Sequence, residues 1–516
     1  MSTFARHRWR LGIPIALTLL ALIASLAFTI SSRGVPSHAA IAGIHVISTD
    51  PFHNKTSQHQ TEVEPDSFAF GNTVVTAMQQ GRFWDGGASD IGFATSTDGG
   101  HSFVHGSLPG LTIFSTPPGK YPRASDASVA FDAKHNVWLI GSLGIINPST
   151  GPVDAVVNRS TDGGLHWSSA VTIAANGVFY DKNWTACDNT PTSPFYGNCY
   201  TEFDNASVGS RIQMTTSTDG GKTWGPVKET ANHDFGIGGQ PIVLPSGRVV
   251  VPIVGFVLNA TQPYNIKSFI STNGGKSWSA TVIVSPALRH VPQGGIRADV
   301  PLPSAEIDKS GKVYVAWSDC RFEPGCKYND IVLSTTKDGI HYSGVKRIPV
   351  DPIGSTIDHF IPGIAVDRTT AGGSAHIGLT FYYYPVYNCQ PLTCRLTVGF
   401  ASSTNGGASW SSRTRISPAM YVEFLPLTTQ GFMFGDYIST SIVPGSADAN
   451  PFFDVANAPL VPGPKGSTCI APGVICNVPT YTASLAITGG PITAGANEPT
   501  YRSTSGKKLT APPTDF

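Results

Sequence analysis

Residues 96–103 read STDGGHSF, and this stretch decides the fold because close copies of it return along the chain. Each copy keeps a Ser or Thr, an Asp or Asn, at least one Gly and a closing aromatic residue. The later copies begin at Ser160, Ser217, Ser271, Thr336 and Ser403. Successive copies start 54 to 67 residues apart. This spacing is too short for one domain per copy, so it indicates a repeat protein.

The acidic or amide residue of each copy suits a tight turn. Its side chain can accept hydrogen bonds from backbone N–H groups two or three residues later, and the glycines adopt positive φ without steric cost. We expect this structural role for Asp98, Asp162, Asp219, Asn273, Asp338 and Asn405. The pattern S-x-D-x-G-x-x-W resembles the Asp-box, or BNR repeat, of the sialidase-like β-propellers.

A second pattern lies between the boxes. A short apolar strand, a turn and another apolar strand with a polar end precede the strand that leads into the box. The stretch PSAEIDKSGKVYVAWSDCRF, residues 303–322, shows this order clearly. Such four-stranded units are the blades of a propeller. We therefore predict an all-β propeller and favour seven blades over six, with IHVIST at residues 44–49 completing the last blade.

The first 40 residues have the composition of a targeting segment. Three arginines precede an uncharged run at residues 11–30, and small residues follow it. The run fits a signal peptide, and it is also long enough for an N-terminal membrane anchor. Either one predicts a secreted or extracytoplasmic protein. We assign residues 41–488 to the propeller and residues 489–516, rich in Gly, Pro and Thr, to a flexible tail.

The charge balance excludes one large class of partners. The chain has 34 Lys plus Arg against 34 Asp plus Glu. It therefore lacks the basic surplus that drives counterion release from nucleic acid. We expect no nucleic-acid partner, and we expect a monomer.

Eight cysteines form four close pairs in sequence order. The pairs are Cys187 with Cys199, Cys320 with Cys326, Cys389 with Cys394, and Cys469 with Cys476. Export favours disulfides, and metal binding is the alternative.

The direction of the strands locates the site. Because strands alternate in direction within a blade, all boxes lie on one face, and the connections before the first strand and after the second lie on the other. Propeller ligands usually bind where such connections meet around the axis. These connections hold carboxylates, arginines and aromatic residues, a combination that suits carbohydrate. We therefore expect a glycan or glycoconjugate as the partner.

The resemblance to sialidases implies roles for these residues. GRFWDGGASDIGFATSTDGG, residues 81–100, keeps the Arg, the Asp-Ile pair and the box of the family's first blade. The resemblance implies an exo-sialidase-like glycoside hydrolase with arginines on the substrate carboxylate, a Tyr and Glu pair as nucleophile, and an Asp as acid/base. The candidate catalytic residues are Asp85, Asp90, Asp319, Glu202 and Tyr383. The candidate substrate-binding residues are Arg82, Arg123, Arg297, Arg321, Asp126, Asp299 and Asp358.

A departure from the family pattern and the possible N-terminal anchor leave a second function open. The family's F-R-I-P signature is absent, and the corresponding strand, EPDSFAF at residues 64–70, has no Arg. A non-catalytic cell-surface propeller that binds glycan or protein is therefore the alternative. We expect no cofactor. An acidic mouth would also suit Ca²⁺, but no loop has the ligand spacing of an EF-hand.

Overall fold

The structure is a computed structural model that describes residues 43–147, 151–257, 263–390, 393–464, 468–471 and 473–493. Every described residue belongs to one unit of the chain, Ile41–Phe516. The described residues form β-strands and no α-helix. Their only helical turns are short 3-10 segments at Ala206–Val208, Pro324–Cys326, Gly372–Ser374 and Val422–Phe424.

An eight-stranded sheet contains the first two boxes. Its first half consists of Gln58–Phe70, Thr73–Arg82, Ala88–Ser96 and Val104–Ser107. Its second half consists of Arg123–Asp132, Val137–Ile145, Val153–Ser160 and Val171–Ala174. The halves join where Ala88 pairs with Ala124. Each half is an antiparallel meander whose third strand leads into a box, as the sequence predicts.

Four further sheets repeat this order along the chain. The first contains Tyr180–Cys187, Cys199–Asn205, Arg211–Ser217 and Lys228–Glu229. The second contains Gly236–Ile237, Ile242–Val243, Val249–Phe256, Tyr264–Ser271 and Val282–Pro286. The third contains Ser304–Ile307, Val313–Asp319, Asp330–Thr336 and Lys346–Arg347. The fourth contains Asp358–Val366, Ile377–Tyr384, Arg395–Ser403, Thr414–Arg415 and Met420–Tyr421.

The last large sheet combines strands from both ends of the described chain. It contains His45–Val46, Ser439–Ser441, Asp448–Asp454, Thr480–Thr482 and Leu485–Ala486. His45 lies opposite Thr482 in an antiparallel pair. The N-terminal strand therefore pairs with the last sheet, as the sequence predicts, whereas the number of blades and the closure of a ring stay predictions.

Two pairs of short strands complete the strand list. Leu427–Thr428 and Gly431–Phe432 form a hairpin, whereas Ser409–Trp410 pairs with the distant strand Ile492–Thr493. The second pairing attaches residues 492–493 of the predicted tail to the strand Ser409–Trp410. The rest of that tail, and the predicted signal peptide or anchor, lie outside the described residues. Within the described part of the chain, no helix has the length and apolarity needed to cross a membrane.

The core lies between neighbouring groups of strands rather than on one face of each sheet. Within the eight-stranded sheet, Val75 from the first meander shares a core with Val129 and Trp138 from the second. Val250 likewise shares a core with Val315 of the next sheet. Strands that are covered on both faces become apolar along their whole length. All nine residues of Asp358–Val366 are accordingly buried.

The box turns have the hydrogen bonds that their sequence predicts. In the third box, Oδ1 of Asp219 accepts hydrogen bonds from the backbone N of Lys222 and of Thr223, both at 3.0 Å. A Cβ at Gly221, whose φ is 76°, would lie 2.9 Å from Leu139 in the preceding sheet. Glycine is therefore required here both for the turn and for the close approach of the two sheets.

Asp219→Ala is expected to lower the free energy of unfolding by about 1–2 kcal/mol, because it removes the acceptor for these N–H groups. Ligand affinity is expected to stay unchanged. Urea denaturation and a binding titration measure the two effects. Asp219→Asn is the matched control, since Asn occupies this position in two natural boxes. An alanine variant of full stability would contradict the turn-supporting role.

All eight cysteines form the predicted disulfides, Cys187–Cys199, Cys320–Cys326, Cys389–Cys394 and Cys469–Cys476. The first disulfide joins two residues that face each other in adjacent strands. The other three close loops whose cysteines are only 5 to 7 positions apart. These small rings stiffen the loops locally.

Candidate functional site

In each of the first three groups of strands, the first strand has a bulge at a charged residue. Glu64, Asp126 and Lys182 have φ values of 58°, 52° and 51°. The pairing with the neighbouring strand shifts at or beside each of these residues. Bulges of this kind turn a side chain away from the regular alternation of a strand. Non-glycine residues in this left-handed conformation are uncommon, and they concentrate at functional sites.

Lys182 is the centre of a buried charge cluster. Its Nζ lies 2.5 Å from Oδ2 of Asp436, 3.1 Å from Oδ2 of Asp126 and 3.4 Å from Oε1 of Glu64. Its side chain is only 6% exposed. We call the group formed by Glu64, Asp126, Asp181, Lys182, Arg297 and Asp436 the central cluster.

Two arginines lie beside these carboxylates. Arg297 Nη2 lies 2.6 Å from Oδ2 of Asp436, so this oxygen faces both Arg297 and Lys182. Arg82 donates from Nη1 to the carbonyl of Gly87 at 2.6 Å. Burial, together with the positive charge of neighbouring Arg297, lowers the pKa of Arg82 to about 10. Arg82 stays cationic at neutral pH, so both arginines can attract an anionic group.

The carboxyl groups of the cluster have different pKa values. Burial raises the pKa of Asp181 to about 6, and the charge of Asp126 adds to this shift. Burial raises the pKa of Glu64 to about 7, although Lys182 opposes the shift. Burial also acts on Asp436, but the charges of Arg297 and Lys182 outweigh it and lower that pKa to about 2. Near pH 5 the cluster thus contains both protonated and ionised carboxyl groups.

Two cavities open beside the cluster. The smaller has a volume of about 220 Å³ and is lined by Glu64, Arg82, Asp85, Asp126, Asp181 and Arg297, among others. The larger has a volume of about 780 Å³ and is lined by Asp181, Lys182, Arg289, Arg297, Asp299 and Asp436, among others. Both volumes are in the range of small-ligand sites or just below it. Asp181 and Arg297 face both cavities.

The hairpin at residues 427–432 lies between the two cavities. The backbone N of Arg297 donates to the carbonyl of Phe432 at 2.8 Å, and the N of Phe432 donates to the carbonyl of Gly295 at 2.9 Å. At its tip, the N of Thr429 donates to the carbonyl of Trp84 at 3.0 Å. The hairpin therefore connects the first meander with the loop that carries Arg297.

Six of the residues predicted from the sequence lie at this site. Arg82, Arg297 and Asp126 line the cavities or belong to the central cluster. Asp85 lines the smaller cavity, and its Oδ1 lies 2.6 Å from Nη1 of Arg123. These six are Arg82, Arg123, Arg297, Asp85, Asp126 and Asp299.

The other predicted residues are not brought together with these six. Asp319 accepts two hydrogen bonds from its neighbour Arg321, at 2.8 and 2.6 Å. Tyr383 is buried beneath the guanidinium of Arg413. The remaining three are buried and accept backbone hydrogen bonds, Glu202 from Gly239, Asp90 from Ile91 and Asp358 from Asn329. Their catalytic and binding roles stay predictions.

Four members of the central cluster were not among the predicted site residues. Asp181, Lys182 and Asp436 stand just before or at the start of first strands. These are the connections where the sequence predicts the site, but no motif assigns a role to the three residues. Glu64 stands inside the strand Gln58–Phe70, which reads QHQTEVEPDSFAF. Glu62 and Asp66 in the same strand are also charged, so residue types alone do not single out Glu64.

Asp358 makes stability depend on pH. Its Oδ1 accepts hydrogen bonds from the backbone N and from Nδ2 of Asn329, and burial raises its pKa to about 8. The ordinary value is about 3.9. A raised folded pKa contributes stability that is full below about pH 4 and is lost as pH rises through about 8.

Asp358→Asn is expected to flatten the fall in unfolding free energy between about pH 5 and about pH 8, because the amide keeps an acceptor oxygen but does not titrate. Urea denaturation at several pH values measures this. Parallel pH profiles for the two proteins would show that Asp358 is ionised throughout.

Comparisons with known proteins give structural similarities only. No protein-family model and no curated protein matches the chain. A leech intramolecular trans-sialidase complexed with 2,7-anhydro-Neu5Ac is similar with 13% identity over 65% of this chain and 67% of that one, at a TM-score of 0.44. The NanB sialidase of Streptococcus pneumoniae is similar with 13% identity over 86% of this chain and 71% of that one, at a TM-score of 0.42. A Dyadobacter fermentans protein of unknown function is similar with 14% identity over 69% of this chain and 98% of that one, at a TM-score of 0.42. At these TM-scores the similarities carry no argument about this chain.

In the described part of the molecule, no group of three or more His, Cys, Asp or Glu side chains is arranged to hold a metal ion. Carboxylates of the central cluster form ion pairs with Lys182 and Arg297. The cluster offers a proton donor, an ionised carboxylate and fixed positive charge beside two cavities.

Proposed function

We propose that the protein is a glycoside hydrolase that removes terminal sugars from glycans, with exo-sialidase-like chemistry. One observation carries the proposal. Asp181 and Asp436 line the same cavity of about 780 Å³, and their environments hold the pKa values at about 6 and about 2. Pairs of carboxyl groups whose pKa values are moved apart mark acid and base roles.

The two carboxyl groups then have separate tasks. Protonated Asp181 donates its proton to the glycosidic oxygen as the bond to the leaving group breaks. Ionised Asp436 faces the positive charge that develops on the sugar ring, and Arg297 and Lys182 keep it ionised. Water then adds to the anomeric carbon and gives a proton back to Asp181, which releases the free sugar. Arg82 and Arg297 line the smaller cavity and would bind the carboxylate of an acidic sugar.

Contacts between successive meanders support a seven-bladed ring as the scaffold. A glycine of each later box approaches the preceding group of strands, as Gly164 approaches Val75 and Gly339 approaches Val250. A Cβ at Gly100, in the first box, would lie 2.7 Å from Asn450 in the last sheet. The first meander therefore contacts the last sheet in the same way that each later one contacts its predecessor.

Four disulfides support an extracytoplasmic location, because disulfides persist in oxidising compartments. We place the protein outside the cytoplasm as a monomer that meets glycans there, secreted or held by the N-terminal segment.

A non-catalytic binding propeller is the second candidate. The observation that favours it is the pairing of Asp436 Oδ2 with both Lys182 and Arg297, at 2.5 and 2.6 Å. A carboxylate neutralised by two cations is a weaker base, and such a network can serve binding or rigidity alone.

Incubation of the purified protein with sialosides and with neutral microbial and plant glycans tests the proposal. Release of a terminal sugar, lost in Asp436→Asn, is the expected result. Saturable binding on the same panel without release would establish the binding propeller instead. A protein that neither releases nor binds any sugar of the panel would refute both candidate functions.

A further inference from the structure

Another cavity lies apart from the central cluster and from the two cavities beside it. We call it the second cavity, since it would form a second site. It has a volume of about 420 Å³, and its lining includes none of Asp181, Arg297 and Asp436. Its walls come from the first strands of all the meanders and of the last sheet, from residues 66–70 to residues 438–440. This size is that of a small-molecule site.

Two aromatic side chains separate this cavity from the catalytic side. The rings of Trp184 and Tyr437 meet edge to face with centroids 5.1 Å apart, and the Tyr437 hydroxyl donates to the carbonyl of Ala127 at 2.9 Å. Both line a space of only about 10 Å³ beside Lys182 and Asp436. Trp184 also lines the second cavity. A ligand in the second cavity therefore does not reach Asp436.

Charged groups of both signs line this cavity: Glu306 with Arg368, Asp308 with Lys309, and Asp66, whose pKa burial raises to about 7. Arg368 Nη2 donates to both carboxylate oxygens of Glu306, at 3.0 and 3.3 Å. The same guanidinium lies 4.7 Å from the centroid of the Phe68 ring. Such a paired site attracts neither strong anions nor strong cations, yet its remaining N–H groups and lone pairs can bind hydroxyl groups.

Aromatic faces and hydroxyl groups supply the other contacts. Phe70 is 37% exposed and packs against Phe131 with ring centroids 4.4 Å apart, which fixes the orientation of its ring. The hydroxyl of Ser67 is 2.8 Å from that of Ser439. A ligand that fits has an apolar face for Phe70, several hydroxyl groups and no net charge, and a pyranose sugar combines these features.

We propose that this second cavity is a binding site for a neutral sugar ring, distinct from the hydrolytic site. Phe70 supplies the stacking face, and the Arg368–Glu306 pair supplies hydrogen bonds to the sugar hydroxyls. The proposal goes beyond the hydrolytic function and does not depend on it, because it concerns binding at another set of residues.

The test is a titration of the full protein with glucose, galactose, N-acetylglucosamine, lactose and adenosine, followed by calorimetry and saturation-transfer NMR. The test variant is Phe70→Ala with Arg368→Ala. The matched control is Phe235→Ala with Arg211→Ala. There a guanidinium lies 4.5 Å from a phenyl centroid and 3.0 Å from a carboxylate oxygen of Glu229, but these residues do not line the second cavity.

At least one neutral sugar is expected to bind, with its Kd raised about tenfold or more in the test variant and unchanged in the control variant. The proposal is overturned if no sugar binds, if the test variant binds like the wild type, or if adenosine alone binds. Loss of turnover in Asp181→Asn with sugar binding retained would separate this site from the hydrolytic one.

Discussion

Asp181→Asn is expected to lower kcat on the best substrate by about 10²- to 10⁴-fold with little change in KM, because the leaving group then departs without a proton. In the wild type, kcat is expected to fall as pH rises through about 6, the pKa that burial gives Asp181. The residual activity of the Asn variant lacks this fall. Steady-state kinetics between about pH 4 and about pH 8 measure both effects.

Asp454→Asn is the matched control for this variant. Asp454 is fully buried, burial raises its pKa, and its Oδ1 accepts a hydrogen bond from Thr480 at 2.6 Å. It lines neither cavity beside the central cluster, so its kcat and pH profile are expected to match the wild type. An Asp181→Asn enzyme with full kcat would remove Asp181 from the mechanism.

Lys182→Met is expected to lower the free energy of unfolding by about 3–5 kcal/mol near pH 8, because it removes one partner from a buried charge group. Glu64, Asp126 and Asp436 would then face each other without the cation that lies within 3.4 Å of all three. Urea denaturation measures the loss.

The pH dependence of this loss follows from the carboxyl groups. Burial already raises the folded pKa of Glu64 to about 7, and Lys182 opposes this shift, so the pKa rises further without Lys182. The stability that Glu64 contributes is therefore full below about pH 4 and lost as pH rises through its folded pKa. The variant is expected to approach the wild type near pH 4.5 and to differ most near pH 8.

Lys267→Met provides the comparison. Lys267 is also buried, but its Nζ meets one carboxylate, Oδ2 of Asp234 at 2.8 Å. Lys267→Met is expected to lower the free energy of unfolding by less than Lys182→Met does. Its loss is also expected to rise less with pH, since the substitution leaves only one carboxylate without its partner. Equal losses in the two variants at both pH values would show that packing of the Lys stem, and not charge, stabilises the centre.

Local patterns predicted the parts of the fold that depend on local chemistry. Residue types at short spacing predict the box turns, the order of strands around them and the four disulfides. The pairing of His45–Val46 with the last sheet followed because the final group of strands lacked one member. Arg82, Arg297 and Asp126 were predicted because they lie next to strand ends.

The rest of the site depends on backbone geometry that residue types do not encode. The left-handed φ of Glu64 and Lys182 occurs at residues that rarely adopt it, so the sequence marks neither bulge. Asp319 shows the opposite case. It stands beside Arg321 in a connection typical of a site, but the two side chains bind each other, and no sequence pattern distinguishes a paired carboxylate from a free one.

The pairing of His45–Val46 with Thr480–Thr482 has a consequence for biosynthesis. The first of these strands leaves the ribosome, and any export channel, long before the second exists. Until the C-terminal strands arrive, Val46 has no partner in the sheet, and the assembly of that sheet is among the last events of folding. A chain that stops early keeps an open strand edge, the feature that favours pairing between molecules. The last sheet can therefore form completely only after the C-terminal strands have been synthesised.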